Sequence, residues 1–507
     1  MSALERELEQ ARLTNNRANG EQGGQFHTEI ETVDDQSIGR TVNGVHLPCA
    51  LIKALLTEYY TQYHAYCPIL PETNDFVGYS RSSPLLFAAV MITALRRIPE
   101  HRSMYLDLVA VAKQLISKCI WPENSDLQTI QALILLCHWP IPFDKNQDPS
   151  HSFISQATVI GLRLGLHQDV YNTDFSRGQN INEDQDHLRQ CTWVACMILN
   201  VSICAQMGVS PTVQFDRGLS QTILATNPVW LPGTLFSQLQ IARHALSISS
   251  MAMDFVTGTS PLITHFETEL RLLEAQFNSS RFVTEKLIVL GTKLMLYICA
   301  ITASSNHPTT ENTPSGLLDP SPSPLLLCRA YFTATAIIET AASFETKRIW
   351  RYTPLRLHKI ALNALCLLFL VKCSSSAALD SIDRTSLDTA ILQGRELFND
   401  LSIVPDDFMA RANTAFDRLT TIAASSRFEA TSLFLVKSRM GANAAFTAAR
   451  HAAAPSPLPG LLPTARVERL GDLDTPPGTE SRPPLNLDDV FLLDMELGEL
   501  FGSDFRL

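Results

Sequence analysis

The stretch "SDLQTIQALILLCHWPI", residues 125–141, decides the fold class. Ser125 and Gln128 have the S-x-x-Q spacing of a capping box, which satisfies the free N–H groups that open a helix. Pro140 closes the segment, because its ring removes a donor and collides with the preceding turn. Between them Leu127, Ile130, Leu133, Ile134, Leu136 and Cys137 cover most of the helix circumference. A helix apolar on nearly every side belongs inside a bundle rather than on its surface.

The same texture extends outward from it. From His46 onward the chain reads as helix after helix. "HLPCALIKALLTEYYTQYHAYCPIL" carries Leu51, Leu55, Tyr59 and Tyr63 at spacing four before Cys67-Pro68 stops it. "SPLLFAAVMITALRRI" sets Pro84 at a first-turn position, and "MYLDLVAVAKQLISKCI" follows. In "SFISQATVIGLRLGLHQD", Ala157, Gly161 and Gly165 stand four apart. Small residues at that spacing predict a groove for a neighbouring helix, despite glycine's helix cost of about 1 kcal/mol. No clean period-two alternation bounded by hairpin signals stands out, so the fold class is all-α: a large helical bundle with disordered N- and C-terminal tails.

Composition agrees with a large interior. The 507 residues are 45% apolar and 18% charged, against about 25% charged in average chains. A formal charge of -11 gives no overall basic face for binding phosphates nonspecifically. The start, "MSALERELEQARL", lacks the cationic and apolar regions of a secretory signal. The window "IALNALCLLFLV", residues 360–371, falls short of the roughly 18 apolar residues of a membrane span, so no membrane partner is expected. Of eleven cysteines the tightest pair is Cys191 and Cys196, with no C-x-x-C anywhere. They read as reduced, buried residues rather than zinc ligands.

Enzyme chemistry finds no support. Asp34-Asp35, Asp406-Asp407 and Asp488-Asp489 lack the further carboxylate three positions on that a magnesium-diphosphate motif supplies. G-x-S-x-G, G-x-x-x-x-G-K-[ST] and H-E-x-x-H are all missing. His138, His151 and His167 read as core or surface histidines rather than metal or acid–base groups. No convergent polar set marks a pocket, and the chain is read as a non-enzyme with no catalytic, cofactor or metal residues.

At "SDLQTIQALILLCHW" followed by "QATVIGLRLGLHQD" the sequence resembles the fungal-specific transcription factor domain, the regulatory middle region of fungal binuclear zinc cluster factors. Thr129 to Leu136 match that family's "tiQALlLL" helix, and Gly161 to Asp169 its "LGLH-x-D" segment. "HLRQCTWVACMILNVSICAQMGVSP" is similar to a third motif, with Arg189, Trp193 and Leu199 aligned and Gly208 to Pro211 at the Gly-Arg-Pro turn. Asn200 and Val201 replace an Asp-Arg pair there, which removes a family salt bridge but not the fold. The resemblance covers roughly residues 46–450, most specifically about 80–215. It implies a helical regulatory bundle acting in the nucleus, a small-molecule effector, and DNA reached directly or through a partner. The family's zinc cluster has no counterpart here. Zinc is therefore expected only if an upstream cluster precedes a sequence that begins downstream of it. Homodimers, or heterodimers with zinc-cluster factors, follow as partners, and a non-DNA-binding modulator of such factors is the alternative.

The ends carry the remaining expectations. Leu4, Leu8 and Ala11 have coiled-coil spacing over less than two heptads, a dimer seam or a frayed helix. Residues 14–45 are polar and read as disordered, 1–45 together forming the N-terminal segment. The helical body divides at the Ser/Pro-rich stretch 304–324 into halves 46–303 and 325–451. Residues 452–484 hold eight prolines and read as a tether. The last segment, "LNLDDVFLLDMELGELFGSDFRL", residues 485–507, sets six acids against Arg506. Val490, Phe491, Leu493, Leu497, Leu500 and Phe501 are its hydrophobic anchors, and as a helix all of them but Phe491 share a face. Repulsion between the acids keeps such side chains available to a coactivator groove, an acidic activation segment; the alternative is a helix docked on the bundle.

Overall fold

The structure is a computed structural model. It describes residues 39–453 except 120, 122–125, 144–147, 169–182, 216, 225–227, 253–254, 256–260, 280–281, 305–322, 347–348, 375–381 and 426–432. Its first elements are a hairpin, β1 (Arg40–Val42) and β2 (Val45–Leu47). Then come α1 (Cys49–Gln62), α2 (Thr73–Tyr79), α3 (Pro84–Leu95), α4 (Arg102–Lys118), α5 (Leu127–His138), α6 (Ser150–Arg163), α7 (Glu183–Met207) and α8 (Arg217–Leu224). The rest are α9 (Gly233–Met251), α10 (Pro261–Gln276), α11 (Val283–Ser304), α12 (Pro324–Thr346), α13 (Leu355–Cys373), α14 (Arg384–Glu396), α15 (Phe408–Ser425) and α16 (Asn443–Ala453). Among the described residues the fold is all-α apart from this hairpin and a single bridge residue, Ser374.

That hairpin corrects the sequence reading, which ran a disordered stretch through residue 45 and began helices at His46. Asn43 and Gly44 both take positive φ, 44° and 86°, the two-residue turn whose twist suits paired strands and favours Asn-Gly. Thr41 pairs with His46, and Val42 and Leu47 are buried. Arg40 donates to the Ser80 carbonyl at 3.0 Å and lies 4.2 Å from the Phe87 ring centre, which fastens the hairpin onto α3.

Helix α5 is the internal strut its composition implied: every residue from Thr129 to His138 is buried. Its cap is not the predicted one. Asp126 is the N-cap, accepting from the Thr129 backbone N–H at 2.8 Å, while the Asp126 N–H donates to the Thr129 hydroxyl. Aspartate caps at least as well as serine, and Ser125 lies outside the described residues. Gln128 instead donates to the Tyr79 carbonyl at 2.6 Å.

The predicted groove on α6 is half right. Ala157 and Gly161 are buried, and a Cβ at Gly161 would sit 2.8 Å from the Trp193 ring on α7. Gly165 lies past the helix at φ 71°. Its N–H donates to Leu162 O and that of Leu166 to Gly161 O, at 3.1 and 2.9 Å, the αL ending that glycine favours.

One hydrophobic cluster runs from Val42 to Ala452. Within it α13 packs against α5, α7, α11, α12, α14, α15 and α16. Segments of α7, α11 and α12 have the length and composition of membrane spans, contrary to the expectation from residues 360–371. The windows in α7 and α11 are each 78% buried within the protein, where a helix needs the same apolar surface as in lipid. Leu4, Leu8 and Ala11, the tether from 454, and the anchors Val490, Phe491, Leu493, Leu497, Leu500 and Phe501 lie outside the described residues.

Candidate functional site

The matched motifs serve first as joints. Gln131, fully buried on the apolar α5, donates to Ile69 O at 2.7 Å and to the Thr192 hydroxyl of α7 at 3.2 Å, and accepts from the Tyr79 hydroxyl at 2.9 Å. One amide thus satisfies groups from three segments. Gln131→Leu is expected to cost about 2–3 kcal/mol, because it strands buried partners; urea unfolding against wild type measures it.

Arg189 on α7 is buried, pairs with Asp186 at 2.8 Å and donates to the Gly165 carbonyl at 3.2 Å. It thereby clamps the C-terminus of α6, where positive charge is favoured. Asn200, where an aspartate would have sought an arginine, donates to the Thr158 and Thr212 hydroxyls at 3.2 and 3.3 Å. A neutral amide holds this joint without an ion pair.

Beside these joints lies a cavity of about 250 Å³ walled by α7, α9, α11, α13, α15 and α16, many times the roughly 10–15 Å³ one water needs. Small side chains hold it open: Ala242 and Ala245 on α9, Ala412 and Ala415 on α15, Ala445 and Ala449 on α16. The wall of α13 is a stripe at helical spacing, Arg356, Lys359, Ile360, Asn363 and Cys366. The short 3-10 segment Lys437–Ala442 packs on α11 at its edge. There Met440 takes φ 40°, and the Gly441 carbonyl accepts from Asn363 at 3.3 Å.

Three cations and one carboxylate line the cavity among the described residues. Lys359 pairs with Asp148 at 2.7 Å, and Arg411 donates to the Phe143 and Asp406 carbonyls. Arg356 is different. It is 4% exposed and donates through Nη2 to Gln238 Oε1 at 2.7 Å, yet its Nε and Nη1 have no hydrogen-bond partner. Gln238 Nε2 and Asn363 Oδ1 are also buried without partners. Burial pushes the Arg356 guanidinium down to about 10, partly offset by Cys67 and Glu285, so it stays charged at neutral pH. Glu285, a buried carboxylate, forms neither a hydrogen bond nor an ion pair with it.

His138 is a core histidine, held well below its ordinary range by burial and by Arg356. His151 lies in the first turn of α6, and His167 just beyond its end, beside Trp193. Among the described residues no three His, Cys, Asp or Glu side chains gather as metal ligands. The sequence reading missed the polar set of the cavity. Its one visible signal was Arg356, a cation in the first turn of "LRLHKIALNALCLLFLVKC", where it opposes the helix dipole.

Comparison with known proteins agrees with the motifs. Residues 56–232 match the family described as "Fungal specific transcription factor domain", a narrower span than the expected 46–450. SEF1 of Eremothecium gossypii is 28% identical over 269 residues, 50% of this chain and 25% of that protein. The transcriptional regulatory protein SEF1 of Candida albicans is 31% identical over 189 residues, 36% and 20% of the two chains. The regulatory protein LEU3 of Saccharomyces cerevisiae is 22% identical over 356 residues, 64% and 38%. These matches span between 20% and 38% of the relatives' own lengths. Residues 56–232, which hold all three motifs and the buried joints they form, are thus similar over less than half of the chain to the fungal specific transcription factor domain family.

Proposed function

We propose that the protein is a fungal transcription regulator acting in the nucleus on a metabolic or secondary-metabolite gene set. In this reading the helical body is an effector-responsive regulatory domain and residues 485–507 are an acidic activation segment that binds coactivators. The observation that carries it is the match of residues 56–232 to a transcription factor domain. The connectivity supports the division of labour: α16 lines the cavity through Ala445, Phe446 and Ala449 and leads into the C-terminal residues that end in the acidic segment. A ligand that moves α16 therefore acts on the helix to which that segment is joined through residues 454–484. Control of this kind requires the ligand to bind one arrangement more tightly than another.

The test tethers the full chain to a foreign DNA-binding domain upstream of a reporter. Replacing Phe491, Leu493, Leu497 and Phe501 by alanine is expected to reduce output about tenfold, because coupled folding onto a groove depends on such anchors. Unchanged output at equal protein level contradicts the activation segment.

A further inference from the structure

We propose that the central cavity takes a small organic monoanion, a carboxylate on a compact apolar body, with its head group at Arg356 and Gln238. This rests on the effector reading above and names the chemistry of the effector.

The cavity's polar groups are unbalanced around Arg356. A buried guanidinium normally finds a carboxylate or a full set of acceptors, because an unpaired buried charge is costly. Arg356 has one acceptor, Gln238 Oε1, and two unpartnered nitrogens. Of the other lining cations, Lys359 pairs with Asp148, and Arg411 donates to two main-chain carbonyls. Arg356 is thus the lining cation held by a single neutral side-chain acceptor, which fits one carboxylate head group.

The surroundings strengthen the same preference. Arg356 lies in the first turn of the 19-residue α13, so the positive end of the helix dipole adds to its own charge. Gln238 spends its oxygen on Arg356, and its Nε2 is a further unpartnered donor. Donors thus outnumber acceptors at this end. The acceptor Asn363 Oδ1 is two helical turns along α13, about 10 Å at 1.5 Å per residue. It suits a hydroxyl at the far end of the ligand. The remaining wall, with Ile241, Ile288, Ile360 and Phe416, suits an apolar body between them.

The test uses the purified full chain and three probes of equal length: hexanoate, hexanol and hexylammonium. Hexanoate is expected to bind at least about tenfold more tightly than hexanol, the difference one charged hydrogen-bonded contact makes, and hexylammonium not to bind. Arg356→Met removes an uncompensated buried charge at similar volume, so the fold is expected to survive. In it the preference for hexanoate should vanish, and Arg356→Lys should restore part of it. The wild-type comparison decides by itself if a variant fails to fold. Equal or tighter binding of hexanol, no binding of any probe, or unchanged hexanoate affinity in Arg356→Met overturns the proposal. Tight binding of hexanol alone would still leave the effector reading standing.

Discussion

Replacing Trp139 by alanine is expected to lower the unfolding free energy by about 3–5 kcal/mol, the range for buried aromatics cut to a methyl. Trp139 ends α5 at 1% exposure and packs edge-on against Tyr63 at 5.3 Å. Its indole N–H donates to the Tyr352 carbonyl at 3.0 Å, across 213 positions of sequence. The loss is therefore felt in both the matched segment 56–232 and the helices beyond it. Trp139→Phe keeps most of the packing and gives up the hydrogen bond, so about 1–2 kcal/mol is expected. Urea unfolding followed by circular dichroism measures both. A Trp139→Ala variant within about 1 kcal/mol of wild type contradicts a core shared between the two parts.

Gly208→Val is expected to be as damaging, by about 3 kcal/mol or more, from two independent causes. Gly208 follows α7 at φ 67°, and its N–H donates to Ala205 O while that of Val209 donates to Cys204 O. A β-branched residue is strained in that region by roughly 1–2 kcal/mol. In addition, a Cβ there would lie 1.9 Å from the Arg439 carbonyl oxygen. Backbone cannot yield as a side chain does, so the 3-10 segment would be displaced, and overpacking costs about 1–3 kcal/mol more. Arg439 also donates to Met207 O at 3.3 Å, so the same shift loosens the end of α7. Gly233→Val, where an added Cβ meets nothing within 4 Å, is the control and should be close to neutral, because valine is no worse a helix former than glycine.

Much of the body was legible because its signals are local. Ten consecutive buried residues in α5 leave a run with no polar face, and that run is visible without a structure. Gly161 was legible for the same reason, since a helix can approach closely only where side chains are small. Where several local signals competed, the reading chose wrongly. Asp126 and Ser125 are both good caps, and only packing places the first turn. Asn43-Gly44 is a strong hairpin signal, but it was submerged in a polar stretch. The cavity was not legible at all. Its walls come from six helices between Ile198 and Ala449, and its defining feature is missing volume. Alanine reads as a good helix former, so the absence of a larger side chain leaves no mark.

Under the proposed function, occupancy of the cavity, transmitted through α16, sets the output of the regulator. It is tested most directly by filling the cavity. Ala242→Leu and Ala449→Leu together place two larger side chains into it from two of its walling helices. The measurement is reporter output of the full chain tethered to a foreign DNA-binding domain, at equal protein level, across media that differ in carbon and nitrogen source. Wild-type output is expected to change with the medium, while the filled variant gives one constant output. Output of the filled variant that rises and falls in parallel with wild type in every medium would contradict it.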